Sequence, residues 1–99
     1  MEKSKKIDFS IGIFDQISET IKERIKKESD ECELYGLGIY TDEVIIQEYM
    51  TYPTKTLEER MEIAKQLEGV DFVFSINSTD VKEVKKIVEQ ACIEVLKNK

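Results

Sequence analysis

The sequence predicts an α/β fold, a small three-layer sandwich around a parallel sheet of about three strands. Segments with the period of a strand alternate three times with segments whose apolar residues recur at helical spacing, over 99 residues without repeats or low-complexity linkers. The middle strand-like run, from Leu34 to Tyr40, is apolar on both faces apart from its glycines, as expected of a strand covered by helices on either side. Helix-start signals also precede the later helical runs, with capping-box spacing at Thr56/Glu59 and Asp80/Glu83. Right-handed crossovers through those helices would bring the strands side by side.

Ninety-nine residues make one domain, spanning the whole of 1–99. Fifteen basic against 21 acidic residues give a net charge of −6, which argues against nucleic acid or an anionic membrane as a partner. No run approaches the roughly 20 apolar residues of a membrane span, and no apolar core of a signal peptide follows Met1 to Lys6. A soluble cytoplasmic protein is the expectation. Cys32 and Cys92 lack C-x-x-C spacing and read as structural thiols in a reducing compartment. Histidine is absent, which removes the commonest general base and the commonest metal ligand together.

In the first strand, Ile7, Phe9, Ile11 and Ile13 alternate with Asp8, Ser10 and Gly12, giving one apolar and one polar face. Isoleucines 17, 21 and 25 then lay a narrow stripe along a helix running to about Glu28, with Asp15, Ser18 or Thr20 as its start. Ser29-Asp30-Glu31 reads as a solvated break, since a calcium loop needs more oxygen ligands and a glycine turn. After the second strand, Thr41-Asp42-Glu43 either caps a following turn of helix or faces a ligand at the carboxyl edge of the sheet. Residues 44–52 are unusually apolar for a loop; Tyr49, Met50 and Tyr52 pack over the sheet, cover a ligand or meet a second subunit. Pro53 sets up a helix with Leu57, Met61, Ala64 and Leu67 on one face, ended by Gly69. Val70 to Ile76 is the third strand. The last helix is the most regular, with Val81, Val84, Ile87, Val88, Ala91, Cys92, Val95 and Leu96 on one face.

Four pieces of this pattern carry a likeness: Gly12-Ile13-Phe14-Asp15, Gly38-Ile39-Tyr40-Thr41-Asp42-Glu43, Glu59-Arg60 before a helix, and Val70-Asp71 opening the third strand. In order and spacing they resemble the cytidylyltransferase-like nucleotidyltransferases, of the glycerol-3-phosphate and choline-phosphate type, over about Ile7 to Phe74. The resemblance implies a Rossmann-like sandwich and, in the family, transfer of a nucleotidyl group from a nucleoside triphosphate to a phosphorylated alcohol. It implies a vestigial nucleotide site at Gly12, Ile13, Phe14, Asp15 and Asp42.

The family's H-x-G-H signature, two residues after Phe-Asp, reads here Ser18-Glu19-Thr20-Ile21. Neither serine nor isoleucine supplies the charge that stabilises a reacting phosphate. Residues 42–54 lack the lysines that the family carries there, Glu68-Gly69 replaces its aromatic and basic residues, and its later R-T-x-G-x-S-T-T motif survives only as a faint echo at Asn77 to Val81. The expectation is therefore a degenerate, truncated domain with no catalytic residue, no metal site and no cofactor. It acts by binding: to a second copy or another protein through the sheet edge at strand one, or to a weakly held nucleotide. The alternatives are an enzyme of altered chemistry, in which Asp15, Glu19, Asp42 and Arg60 serve CTP with Mg²⁺, and one half of a split enzyme.

Overall fold

The central strand organises the molecule because it alone is enclosed on both sides. In the computed structural model, which describes residues 5–97, β2 (Cys32–Tyr40) has every residue from Leu34 through Ile39 buried. β1 (Lys5–Gly12) pairs with one of its edges and β3 (Phe72–Ile76) with the other, both parallel, giving the order β1-β2-β3. The connections are α1 (Glu19–Asp30) after β1, then α2 (Asp42–Tyr49) and α3 (Leu57–Lys65) after β2, and α4 (Val81–Lys97) after β3. This is a mixed α/β, Rossmann-like domain with a three-stranded parallel sheet and four helices.

Register sorts the side chains into two faces. Ser10 stands opposite Leu37 and Leu37 opposite Val73, so β1 presents Asp8, Ser10 and Gly12 on the face where β2 presents Tyr35, Leu37 and Ile39. That face carries the core. Ile25 of α1, Ala64 of α3 and Phe14 pack on the three β2 residues, with Ile21, Leu57, Met61, Leu67 and Val73 around them. Ile21, the last of the four residues Ser18 to Ile21, belongs to this packing.

The polar alternation of β1 has a structural explanation here. Tyr35 is fully buried, and its hydroxyl donates to a Glu28 carboxylate oxygen at 2.6 Å. The Ser10 hydroxyl lies 2.6 Å from that of Tyr35 and 3.0 Å from the same carboxylate oxygen. Ser10 thus supplies the third member of a network joining β1, β2 and α1. Burial, and then the Glu28 carboxylate, push the Tyr35 hydroxyl well above its ordinary pKa, more than the bond to Ser10 lowers it. A phenol raised in this way stabilises the fold fully below its unfolded pKa of about 10 and ceases to do so as pH climbs through the folded value. Tyr35→Phe should cost about 1–2 kcal/mol at neutral pH. In urea titrations repeated from pH 8 upward, that deficit should shrink above about pH 10; a constant deficit would refute the role of the hydroxyl proton.

The other face is built differently. A β-carbon on Gly36 would lie 2.3 Å from the Phe72 ring, and one on Gly38 would lie 2.8 Å from Phe74 and 2.7 Å from Ile76. The two rings of β3 therefore lean across the central strand, stacked at 5.9 Å, and Phe9 of β1 meets Phe74 edge-on at 6.4 Å. α4 covers only part of this aromatic face, along β3, and Phe9 stays 36% exposed.

Two sequence expectations need correction. The stretch after Tyr40 contains α2, so the order is βαβααβα and not a strict alternation. Thr41 is its N-cap, accepting from the Val44 N–H at 3.4 Å, and Met50 closes it in the left-handed region at φ 54°. Val44 and Ile45 are buried, but eight residues are too few for helical periodicity to emerge from so apolar a run. The helix that Pro53 introduces ends at Lys65, with Gln66 as its C-cap, earlier than Gly69. Gly69 instead turns the chain at φ +95°, where a β-carbon would meet the Ser29 hydroxyl at 2.4 Å, so α1 and the α3–β3 turn approach closely there. Among the described residues no helix is long and apolar enough to cross a membrane.

Candidate functional site

β1 and β2 end side by side, and parallel α/β sheets collect ligands at such carboxyl edges. Here the edge is filled by the protein's own groups. Phe14 follows β1 with φ 55°, a conformation unusual for an aromatic residue, and its ring is buried. The ring faces Gly12, where an added β-carbon would be 3.2 Å away. The space above Gly12 thus holds a phenyl group, and the turn that places it there carries the local strain.

Asp15 comes next and is fully engaged. One carboxylate oxygen accepts from the Thr54 N–H at 2.9 Å and the Thr54 hydroxyl at 2.7 Å, and the other accepts from the Lys55 N–H at 2.9 Å. The Lys55 ammonium returns to the Asp15 carbonyl at 2.8 Å. Desolvation alone would raise the pKa of this carboxyl; the bonds from Thr54 and Lys55, with the Lys55 charge, outweigh it and hold the group below the usual carboxylate range.

Asp42 sits at the first position of α2 and pairs with Arg60 of α3. Arg60 is the one charged residue buried completely among those described. Its guanidinium also donates to the Ile13 carbonyl at 3.0 Å and the Tyr40 carbonyl at 2.8 Å, and its Nε to the Lys55 carbonyl at 3.2 Å. A single side chain therefore joins the ends of β1 and β2, the entry to α3 and the start of α2. The capping box at Thr56 and Glu59 fixes the helix turn from which Arg60 projects. Glu59-Arg60 thus lies inside α3, as the capping-box spacing implied, and not before a helix, where the family likeness had it.

Of the sequence-derived positions, Gly12, Ile13, Phe14 and Asp15 form one continuous turn, and Asp42 reaches it only through Arg60. Glu19 is in the first turn of α1, with Lys22 at 3.4 Å, so of the set Asp15, Glu19, Asp42 and Arg60 only Asp42 and Arg60 meet, while Asp15 is held by Thr54 and Lys55 and Glu19 by Lys22. Ser18 caps α1, accepting from the Ile21 N–H at 3.3 Å. Among the described residues no three acidic or cysteine side chains gather as a metal site. Thr54 and Lys55 were missed by the sequence reading; their only signal is the polar Thr-Lys-Thr run between Pro53 and the capping box. An open cleft of about 390 Å³ beside this network is lined by Asp15, Ile17, Lys22, Lys55 and Ile63, with Gln66 and Leu67 beneath.

No family model matches this sequence, and no curated protein matches it. Among solved structures, the lipopolysaccharide core biosynthesis protein from Thermoplasma volcanium GSS1 superposes with a TM-score of 0.72 at 15% sequence identity. The likeness is one of fold. It covers 85% of this chain and 66% of that one, so the chain spans a little under two thirds of the length of the protein it matches. The α/β sandwich is therefore one found elsewhere, with a different sequence built on it.

Proposed function

We propose that this chain is a nucleotidyltransferase-like domain without catalytic activity, acting as a binding and assembly module. The observation that carries the reading is the closed network at the carboxyl edge, where Arg60 and Asp42, and Asp15 with Thr54 and Lys55, satisfy one another. A phosphate-transferring site holds cationic donors toward the reacting phosphorus. Here the buried guanidinium is directed at three backbone carbonyls and a carboxylate, and the Lys55 ammonium at the Asp15 carbonyl. The chain has no histidine to stand in for them. Nucleotide binding, in this reading, is weak and confined to the cleft beside Lys22 and Lys55.

Assembly is the positive half of the proposal. β1 is an edge strand whose apolar residues Ile7, Phe9 and Ile11 are incompletely covered, and such edges attract further chains. One of its edge groups is already occupied, since the Phe9 N–H donates to the Asp8 carboxylate at 2.9 Å. Calorimetric titration of CTP and ATP with Mg²⁺, combined with a pyrophosphate-release assay on phospho-alcohols, tests the first half. No turnover and at most weak heat are expected. Turnover of any phospho-alcohol would end the reading of an inactive domain.

A further inference from the structure

Every other helix buries part of its apolar stripe: α1 through Ile25, α2 through Val44 and Ile45, α3 through Ala64. α4 is the longest and most regularly patterned, and none of its described residues is buried. Its attachment runs along β3, where Ala91, Glu94 and Val95 border an open groove of about 530 Å³ with Phe72 and Phe74. The remaining side of the stripe carries Val81, Val88, Cys92 and Leu96, which helical geometry keeps in one row. Val81 is 80% exposed and Leu96 44%, with Ile93 beside them at 48%. Val88 and Cys92 between them are half-buried, and an apolar row left this far uncovered on a helix marks an interaction surface.

The charges beside the row indicate what covers it. Toward the row, Lys82, Lys85 and Lys86 lie in the first half of α4 and Glu89 in the second, with Lys97 at its end; Glu83 and Glu94 fall on the other side. Among the described residues no ion pair engages Lys85 or Glu89, although they are four apart and border the same row. Two α4 helices laid parallel would set lysine against lysine and glutamate against glutamate. Laid antiparallel, the Lys85 of each helix can meet the Glu89 of the other.

We propose that the outer row of α4 is the interface of a two-fold dimer, with α4 packed antiparallel on α4 of a second copy; this rests on the reading of the chain as an assembly module. Two-fold symmetry makes the contact self-complementary. Lys85 of each copy meets Glu89 of the other, Val88 lies within a residue of the axis, and Val81 faces Ile93 across it. The pairing closes on two chains, so it yields dimers and not fibres.

The test is a charge exchange between chains, followed by sedimentation at micromolar concentration with circular dichroism to verify folding. Wild type is expected to dimerise. Lys85→Glu sets glutamate against glutamate across the interface, and Glu89→Lys sets lysine against lysine, so each variant alone should associate about tenfold more weakly or worse. An equimolar mixture of the two folded variants should dimerise again, because every cross-chain pair is then of opposite sign. A change within a single helix cannot produce that rescue. As a second measurement, Val88→Cys in a Cys92→Ser background should be cross-linked into dimers by a short bis-maleimide, whereas wild-type Cys92, set well away from the axis, should not. A monomeric wild type overturns the proposal. A wild-type dimer whose variants show no rescue on mixing, or a Val88→Cys chain that fails to cross-link, overturns this interface while assembly itself survives. The nucleotide titration reads the other end of the molecule, so failure there leaves the dimer result intact.

Discussion

Replacing Arg60 by methionine is expected to lower the unfolding free energy by about 3–5 kcal/mol, as measured by urea denaturation, the usual cost of breaking a buried charged network from one side. Methionine fills much of the same volume, so the loss reports the guanidinium and not a cavity. The carbonyls of Ile13, Tyr40 and Lys55 would each lose a donor in a place that water does not readily reach, at about 1–3 kcal/mol per unsatisfied group. Asp42 is different. Its side chain is 40% exposed and can turn to solvent, so Asp42→Asn should cost much less than Arg60→Met. Arg60→Lys retains the charge without the planar fork that reaches several acceptors together, and should fall between the two. If Arg60→Met proved as mild as a surface substitution, at about 0.5 kcal/mol or less, the picture of Arg60 as the tie between strand ends would be wrong.

Gly36→Val is expected to destabilise by about 1–3 kcal/mol through overpacking, with a further contribution if the stack of Phe72 on Phe74 is lost. The cause is the 2.3 Å separation between a β-carbon at this position and the Phe72 ring, with no backbone conformation reserved for glycine involved. That distinction is measurable. The ring can swing outward at the expense of its stacking, so Gly36→Ala should cost less in a Phe72→Ala background than in the wild type, giving a coupling energy of about 1 kcal/mol or more in a double-mutant cycle. Additive costs would mean that something other than the ring restricts Gly36.

The two substitutions separate two kinds of legibility. The apolar run of β2, the capping box of Thr56 and Glu59 and the regular stripe of α4 depend on residues only a few positions apart. Local periodicity and capping therefore suffice to identify them, and the α/β class follows from their alternation. α2 escaped because two turns of helix in an apolar segment satisfy strand and helix patterns alike. At the glycines of β2 the groups that approach are side chains of β3, Phe72 at Gly36 and Ile76 with Phe74 at Gly38, which no local pattern around the glycines announces.

At the candidate site the balance reverses. The residue types at Gly12 to Asp15 and at Asp42 were visible, as was the absence of histidine from Ser18 to Ile21. What each residue does there depends on partners far along the chain: Asp15 on Lys55, 40 residues away, and Arg60 on the Ile13 carbonyl, 47 residues away. No periodicity couples positions so distant, since only the closing of the sheet places the ends of β1 and β2 within reach of one guanidinium. The order of strands and helices was thus written in local chemistry. Whether the carboxyl edge stands open to a ligand or is filled by Phe14, Arg60 and Lys55 was decided by side chains that meet only after folding, because hydrogen bonds act over about 3 Å whatever the separation in sequence.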